Sequence, residues 1–151
     1  MRRFASAALL AVSCAFLSFA TAERAAADVL INVNKSTQRL TVTVDGTPRY
    51  AWAISSGLGG GPPSGSYRPE RLERKWFSRK YDWSPMPHAI FFYHGFAIHG
   101  TNYVSRLGRP ASHGCVRLHP THAATLFDLV QRHGKSNTRI VVGNSSMVAH
   151  R

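Results

Sequence analysis

Hydrophobic and polar residues alternate along several short stretches of the chain, which is the period of strands with one buried face. Residues 39–44 alternate arginine or threonine with leucine or valine, and residues 29–33 form an apolar stretch just before them. The segments 34–37 and 45–46 contain turn-forming residues, so a hairpin or meander is predicted here. Further strands are predicted at residues 50–54, 89–93, 96–98 and 139–142.

One stretch has the period of a helix. Pro120 occupies a first-turn position, Gly134 provides a stop, and the apolar face between them consists of Ala123, Leu126, Phe127 and Val130. Residues 57–65 are rich in Gly and Pro and predict a loop. Residues 68–88 are basic with interleaved aromatics and show no clean period, which indicates an irregular segment that walls a groove. The pattern predicts a mainly β domain with one packed helix.

The first 22 residues are typical of a secretory signal peptide. Arg2 and Arg3 precede an apolar stretch, and the small residues Ala20 and Ala22 stand at the positions that a signal peptidase reads. An uncleaved membrane anchor is the alternative, because the apolar stretch approaches spanning length. The small residues at the end of the apolar stretch favour cleavage by a signal peptidase. Cleavage would leave no integral membrane segment, and it predicts export to the periplasm or cell-wall space.

Charge adds a constraint on partners. The 151 residues suffice for one domain, and 19 Lys and Arg against 7 Asp and Glu give a net charge of +12, or about +10 once Arg2 and Arg3 are removed. Such an excess indicates an anionic partner or a generally cationic surface that keeps the protein soluble. The basic residues form no block of five or six, so nucleic acid is not an expected partner.

One cysteine remains after signal cleavage. Cys14 lies in the signal peptide, so Cys115 is unpaired in a compartment that oxidises idle thiols. Burial as a small apolar residue is one explanation. The neighbours favour another, because His113 and Gly114 precede Cys115 and His99 ends a strand-like stretch that can return beside it. A base or positive charge near a thiol favours the nucleophilic thiolate, so a reactive cysteine is predicted.

These segments resemble the catalytic signature of the L,D-transpeptidases, the YkuD-type domain. The signature consists of residues 99–101 (His-Gly-Thr) and 112–118 (Ser-His-Gly-Cys-Val-Arg-Leu). Residues 38–57 are similar to the opening strands of that domain and residues 63–67 to its proline-glycine loop, where Pro62 replaces a more frequent Thr. The resemblance covers about residues 29–142 and implies a β-sandwich with one packed α-helix.

The resemblance also implies roles for individual residues. Cys115 is expected to be the nucleophile and His99 the general base and later acid, in acyl transfer from the peptidoglycan tetrapeptide stem with release of D-alanine. The main chain at His113, Gly114 and Cys115 is expected to form the oxyanion hole. Some relatives have Ser where this chain has Gly100, so only a backbone carbonyl remains to orient His99. The residues expected to contact substrate are Arg117, Ser112, Tyr103, Tyr81 and Met86.

Several of these assignments have alternatives. Arg117 is as well suited to a structural ion pair as to a substrate carboxylate. Tyr81, Met86 and Tyr103 are equally compatible with core or lid positions. No cofactor and no metal are implied.

The resemblance also predicts the domain organisation of the chain and its partners. Residues 1–22 are predicted to be the signal peptide, 23–28 a linker, 29–144 the L,D-transpeptidase catalytic domain and 145–151 a C-terminal tail. Peptidoglycan stem peptides are the expected acyl donors. The acceptor is expected to be an amine of another stem or of a wall-anchored lipoprotein, or water in an L,D-carboxypeptidase reaction.

Other functions stay open on the sequence. A metal hydrolase is suggested by His119 and His122, but no carboxylate-rich motif accompanies them and their place at the helix start predicts solvent exposure. Sortases place the arginine well after the cysteine, and papain-like peptidases place the cysteine before the histidine. A non-catalytic wall-binding module would leave Cys115 inert, whereas an activated Cys115 should react with iodoacetamide well below about pH 8.5.

Overall fold

The computed structural model describes residues 28–145. The predicted signal peptide lies outside these residues, as do the predicted linker except residue 28 and the predicted tail except residue 145. Within 28–145, no helix is long and apolar enough to cross a membrane. The elements are β1 (Val29–Asn34), β2 (Arg39–Val44), β3 (Thr47–Ala53), β4 (Gly65–Tyr67), β5 (Arg71–Glu73), β6 (Phe77–Ser78), β7 (Ser84–Pro85), β8 (Ala89–Tyr93), β9 (Phe96–Gly100), β10 (Val116–Leu118), α1 (Pro120–His133) and β11 (Thr138–Gly143).

The larger sheet has the strand order β3-β2-β1-β11-β4. β1 pairs antiparallel with β2 and parallel with β11, so the first and last strands of the domain lie side by side. On β2, Leu40, Val42 and Val44 are buried while Arg39 and Thr41 are exposed, which confirms the alternation predicted from the sequence.

The smaller sheet has the order β10-β9-β8-β5 and carries the chemically interesting segments. β8 and β9 form an antiparallel hairpin through His94 and Gly95, and β9 pairs parallel with β10. Helix α1 contacts β9, β8 and β1. One apolar core joins both sheets and the helix, through side chains that include Ile31, Leu40, Ile98, Leu118 and Leu126. The prediction of a mainly β fold with one packed helix is confirmed.

Four local features differ from the prediction. β4 begins at Gly65, the last residue of the predicted loop, because its three residues pair with β11 from a distant part of the chain. β3 begins at Thr47, directly after the Asp45–Gly46 turn, rather than at residue 50. The segment 68–88 contains the strands β5, β6 and β7, which are only two or three residues long and therefore too short to show a period. β10 is equally short, and its place beside β9 depends on a long-range pairing that no local pattern reports.

Candidate active site

Parallel pairing of β9 and β10 brings the two catalytic candidates together. In the register of the two strands, Arg117 lies opposite His99, and Cys115 comes two residues before Arg117. Paired residues of neighbouring strands point to the same face, so His99 and Arg117 share one face of the smaller sheet. Cys115, one residue before β10 begins, packs on this face in a cluster with Ala97, which is two residues before His99 on β9. All three side chains line the same cavity.

That cavity has a volume of about 610 Å³ and contains nearly every candidate from the sequence. Gly100 alone among them does not line it, because it lies behind His99 against the packed core. The candidates that line the cavity are Cys115, His99, His113, Gly114, Arg117, Ser112, Tyr103, Tyr81 and Met86.

The His99 ring is held in one orientation by the main chain. Its Nδ1 lies 2.7 Å from the carbonyl oxygen of Gly100. A carbonyl only accepts hydrogen bonds, so Nδ1 carries the proton and Nε2 is left unprotonated, as a base requires. A Cβ built on Gly100 would lie 3.1 Å from Cγ of Pro87, so a larger residue here would require its neighbours to shift by a few tenths of an ångström.

Burial keeps both catalytic candidates uncharged. Desolvation lowers the pKa of His99 to about 4, with a smaller contribution in the same direction from Arg117, while the bond to Gly100 opposes it. Desolvation raises the pKa of the Cys115 thiol, opposed by a hydrogen bond from the backbone of Ala97 and by the positive charges of Arg117 and Lys80. The resting pair at neutral pH is therefore a thiol and a neutral imidazole.

This protonation state changes one expectation. Ready alkylation of Cys115 well below pH 8.5 does not agree with a raised thiol pKa. In the free protein we instead expect alkylation to require alkaline pH. A slow reaction with iodoacetamide consequently does not distinguish this site from an inert cysteine, and a turnover measurement is needed.

The loop before Cys115 is braced by one hydroxyl. Ser112 Oγ donates to the carbonyl oxygen of Cys115 at 2.6 Å and accepts from the N–H of Gly114 at 3.0 Å. Gly114 has φ of +149°, and a Cβ there would lie 2.7 Å from the ring of Phe96, so only glycine fits. Within residues 28–145 the N–H groups of His113 and Cys115 donate no hydrogen bond, which leaves them available to an oxyanion.

A second layer of polar contacts supports this loop and was missed by sequence reasoning. The buried Gln38 accepts from the N–H of Ser56 at 2.9 Å and donates to its Oγ at 2.7 Å. The carbonyl of Ser56 then accepts from the N–H groups of Ala111 and Ser112, at 2.9 and 3.0 Å. Gln38 follows a polar turn in the sequence, where a glutamine normally signals solvent exposure, so no local pattern could have identified its role.

The segment 76–86 forms the facing wall of the cavity. Here β6 and β7 pair as a short hairpin around a 3-10 turn, and Tyr81 of that turn stacks on the ring of His113 with centroids 4.4 Å apart. Met86 is buried and packs in the same small cluster as Cys115.

The remaining predicted substrate contacts lie at the cavity's other side. Tyr103 is 60% exposed, and the Arg117 guanidinium lies 5.6 Å from the centre of its ring. Arg117 Nη1 donates to the carbonyl of Ala111, and no ion pair of Arg117 is present in the described part of the chain.

The two histidines at the helix start are not solvated as predicted. His119 Nδ1 hydrogen-bonds with the hydroxyl of Thr121 at 2.8 Å, and the ring of His122 stacks on Trp52 with centroids 4.8 Å apart. Both are partly buried because Trp52 covers this edge of the core. No group of three or more metal-ligating side chains occurs among residues 28–145.

The family comparison agrees with this geometry. The family model of YkuD, the L,D-transpeptidase catalytic domain, matches residues 28–142. No curated protein matches the chain.

Solved structures of similar fold include several L,D-transpeptidases. The enzyme from Mycobacterium smegmatis is 24% identical with a TM-score of 0.66, over 77% of this chain and 58% of that one. The enzyme from Stackebrandtia nassauensis is 24% identical with a TM-score of 0.68, over 88% and 64%. The enzyme from Xylanimonas cellulosilytica is 24% identical with a TM-score of 0.66, over 80% and 62%. The chain thus spans about three fifths of the length of these relatives, and at this identity the likeness shows a shared fold.

Proposed function

The chain belongs to the YkuD family of L,D-transpeptidase catalytic domains, and on that premise we propose that it transfers acyl groups from peptidoglycan tetrapeptide stems through a thioester on Cys115. The observation that carries the proposal is the shared sheet face of Cys115 and His99 in one cavity, with the imidazole held in the tautomer whose Nε2 accepts a proton. This is the arrangement of a nucleophile and its general base.

In the first half-reaction the Cys115 thiol attacks the carbonyl of the third, diamino-acid residue of the stem. His99 Nε2 takes the thiol proton as the sulfur–carbon bond forms, and the oxyanion accepts hydrogen bonds from the N–H groups of His113 and Cys115. The intermediate then collapses to a thioester, and the departing D-alanine amine receives the proton from His99. Since Gly114 N–H is engaged by Ser112, the contribution of Gly114 is its backbone conformation.

In the second half-reaction an amine attacks the thioester. Neutral His99 removes a proton from the amine and returns it to the leaving thiolate, which regenerates the resting thiol. The low basicity of His99 suits this cycle, because imidazolium formed during attack gives up its proton readily to the leaving group. The acceptor is an amine of a neighbouring stem or of a wall-anchored lipoprotein; water in its place gives an L,D-carboxypeptidase.

The cellular setting follows from the substrate and the N-terminal sequence. Peptidoglycan lies outside the cytoplasm, and residues 1–22 have the features of a cleaved signal peptide. We therefore place the mature enzyme in the periplasm or cell-wall space. Its role there would be the synthesis and remodelling of peptidoglycan cross-links, with effects on cell shape.

Mass spectrometry of a disaccharide-tetrapeptide incubated with the purified protein tests the proposal. We expect loss of D-alanine and formation of a cross-linked dimer. Cys115→Ala should lower the rate by at least about 10³-fold, because residues 28–145 contain no other thiol that could form the thioester. Tripeptide without dimer would identify a carboxypeptidase. Wild-type turnover by Cys115→Ala would overturn the assignment of the nucleophile.

A further inference from the structure

The cavity around Cys115 is lined by basic side chains and by no acidic one. Arg71, Arg79, Lys80 and Arg117 all line it, and none of the Asp or Glu residues within 28–145 does. The sequence has no Asp or Glu from Trp83 through Phe127, a stretch that includes both His99 and Cys115. Four of the chain's basic side chains thus line the site of the proposed chemistry, with no acidic side chain beside them in its lining.

These cations differ in how far the protein already neutralises them. Arg71 pairs with Glu73 at 3.0 Å and lies between the rings of Trp76 and Phe91, with its guanidinium carbon 4.3 and 4.1 Å from their centres. Arg71 is therefore a fixed part of the cavity wall. Of the four cations, it is the one whose charge is compensated by a carboxylate of residues 28–145.

The other three cations have no acidic partner among residues 28–145. Arg79 and Lys80 are exposed on the 3-10 turn of the β6–β7 hairpin, and Arg117 bonds only to the main-chain carbonyl of Ala111. The two salt bridges in this part of the chain are Arg71–Glu73 and Arg74–Asp128, and neither includes them.

Arg79, Lys80 and Arg117 lie on two opposite sides of Cys115. Arg117 lies on β10, two residues beyond Cys115, while Lys80 and Arg79 approach from the opposite wall. Both Lys80 and Arg117 are close enough to Cys115 to stabilise negative charge on its sulfur. Positive groups on both walls of a cleft focus the field inside it and attract anionic substrates more strongly than the same charges spread over a surface.

We propose that Arg79, Lys80 and Arg117 make this groove selective for stem peptides whose acidic groups are free carboxylates, and that it discriminates against stems in which those groups are amidated. The inference rests on the proposed function, since it takes a stem peptide as the substrate. A carboxylate offsets the mutual repulsion of the three cations and has two oxygens that can accept a bidentate pair of hydrogen bonds from an arginine. A neutral carboxamide of nearly the same shape has one acceptor oxygen and no charge to offset the repulsion.

The test compares two acyl donors that differ only in charge. One is the disaccharide-tetrapeptide with free D-glutamate and diaminopimelate carboxylates, and the other is the same muropeptide with both groups amidated. For the wild-type protein we expect kcat/KM to be about three- to tenfold higher for the free form, mainly through KM, with the ratio falling as salt screens the charges.

Two substitutions on one hairpin locate the effect. Lys80→Gln and Arg79→Gln should each bring the ratio of the two kcat/KM values closer to one by raising KM for the free form. Lys75→Gln removes the same charge from an exposed position just before the hairpin that does not line the cavity, and it should leave the ratio unchanged. This control separates a local effect from the general positive charge of the chain.

The outcomes separate the two proposals. Equal turnover of both donors, or an equal loss on both in Lys80→Gln, overturns the selectivity and leaves the transpeptidase function intact. Equal changes in Lys75→Gln and Lys80→Gln assign the effect to overall charge and also overturn the inference. Release of D-alanine from neither donor overturns the selectivity together with the proposed function.

Discussion

The loop that carries Cys115 and the hairpin that faces it across the cavity are built in different ways. The loop, residues 111–115, is held by main-chain bonds to Ser56 and by the buried Ser112 hydroxyl, which contacts both Gly114 and Cys115. Behind it, Gln38 fixes Ser56 through two further bonds. Each of these polar groups is satisfied within the protein, as buried groups must be.

The hairpin, residues 76–86, has little of this bracing. Its two strands contain two residues each, and the side chains of Phe77 and Trp83 are 51% and 61% exposed. It is closed by a main-chain bond from Met86 to Trp76 and attached across the cavity by the stack of Tyr81 on His113. Segments with few buried contacts open at lower free-energy cost than the core.

In the proposed function, the rigid loop and the loosely held hairpin serve different steps: the loop serves acyl transfer, and the hairpin serves substrate recognition. Acyl transfer needs a nucleophile, a base and oxyanion donors held in fixed geometry, because small misplacements cost large factors in rate. Substrate recognition through charge and aromatic contact tolerates more movement, and in the proposed function the hairpin supplies those groups. Substitutions in the loop should therefore lower kcat, and substitutions in the hairpin should raise KM.

After replacement of the nucleophile itself, the largest effect is expected at the base. His99→Ala should lower kcat/KM by about 10²- to 10⁴-fold, since it removes the group that accepts the thiol proton. The lowered pKa of His99, about 4, means that the imidazole stays neutral and able to accept a proton down to that pH. The acid limb of the wild-type kcat/KM profile should thus lie near pH 4, and it should vanish in His99→Ala.

His133→Ala serves as the control, because His133 ends α1 away from the cavity, and it should leave both rate and profile unchanged. An acid limb near the ordinary histidine pKa, or an active His99→Ala, would show that His99 is not the base. His113 would then be the histidine to test next, since its ring also lines the cavity.

An intermediate effect on kcat is expected at Ser112, whose hydroxyl holds the loop of residues 111–115 in place. Ser112→Ala leaves the carbonyl of Cys115 and the N–H of Gly114 without their partner. The loss of about 1–3 kcal/mol corresponds to roughly a five- to 160-fold lower kcat. Ser105→Ala changes an exposed serine outside the cavity and should have no effect. A selective rise in KM for Ser112→Ala, with kcat unchanged, would contradict the division between the two walls.

The smallest effect is expected at the hairpin. Tyr81→Ala removes the stack on His113 and should raise KM about two- to tenfold with little change in kcat, because aromatic pairs of this kind contribute about 0.5–1.5 kcal/mol. Tyr81→Phe keeps the ring and should behave as wild type, and Tyr50→Ala tests a stacked tyrosine outside the cavity. A kcat loss in Tyr81→Ala as large as that of Ser112→Ala would remove the distinction between the walls.

Local patterns in the sequence predicted the larger sheet and the helix well. The alternation along β2 and the span of α1 from Pro120 to Gly134 agree with the structure, because period and capping act within a few residues. The signature around Cys115 likewise identified the family, since residue identity and spacing carry it. The short strands β4, β5, β6, β7 and β10 were not predicted, because two or three residues contain no period.

The sequence by itself determined the family, the residues to which we assign the proposed chemistry and the general course of the β-rich chain. The tertiary structure decided how they act: pairing of β9 with β10 placed His99 beside Cys115, and burial made both neutral at rest. It also recruited Gln38 to support the loop and gathered Arg79, Lys80 and Arg117 around one cavity. Protonation state, support and local field depend on neighbours distant in sequence, and only the folded chain specifies them.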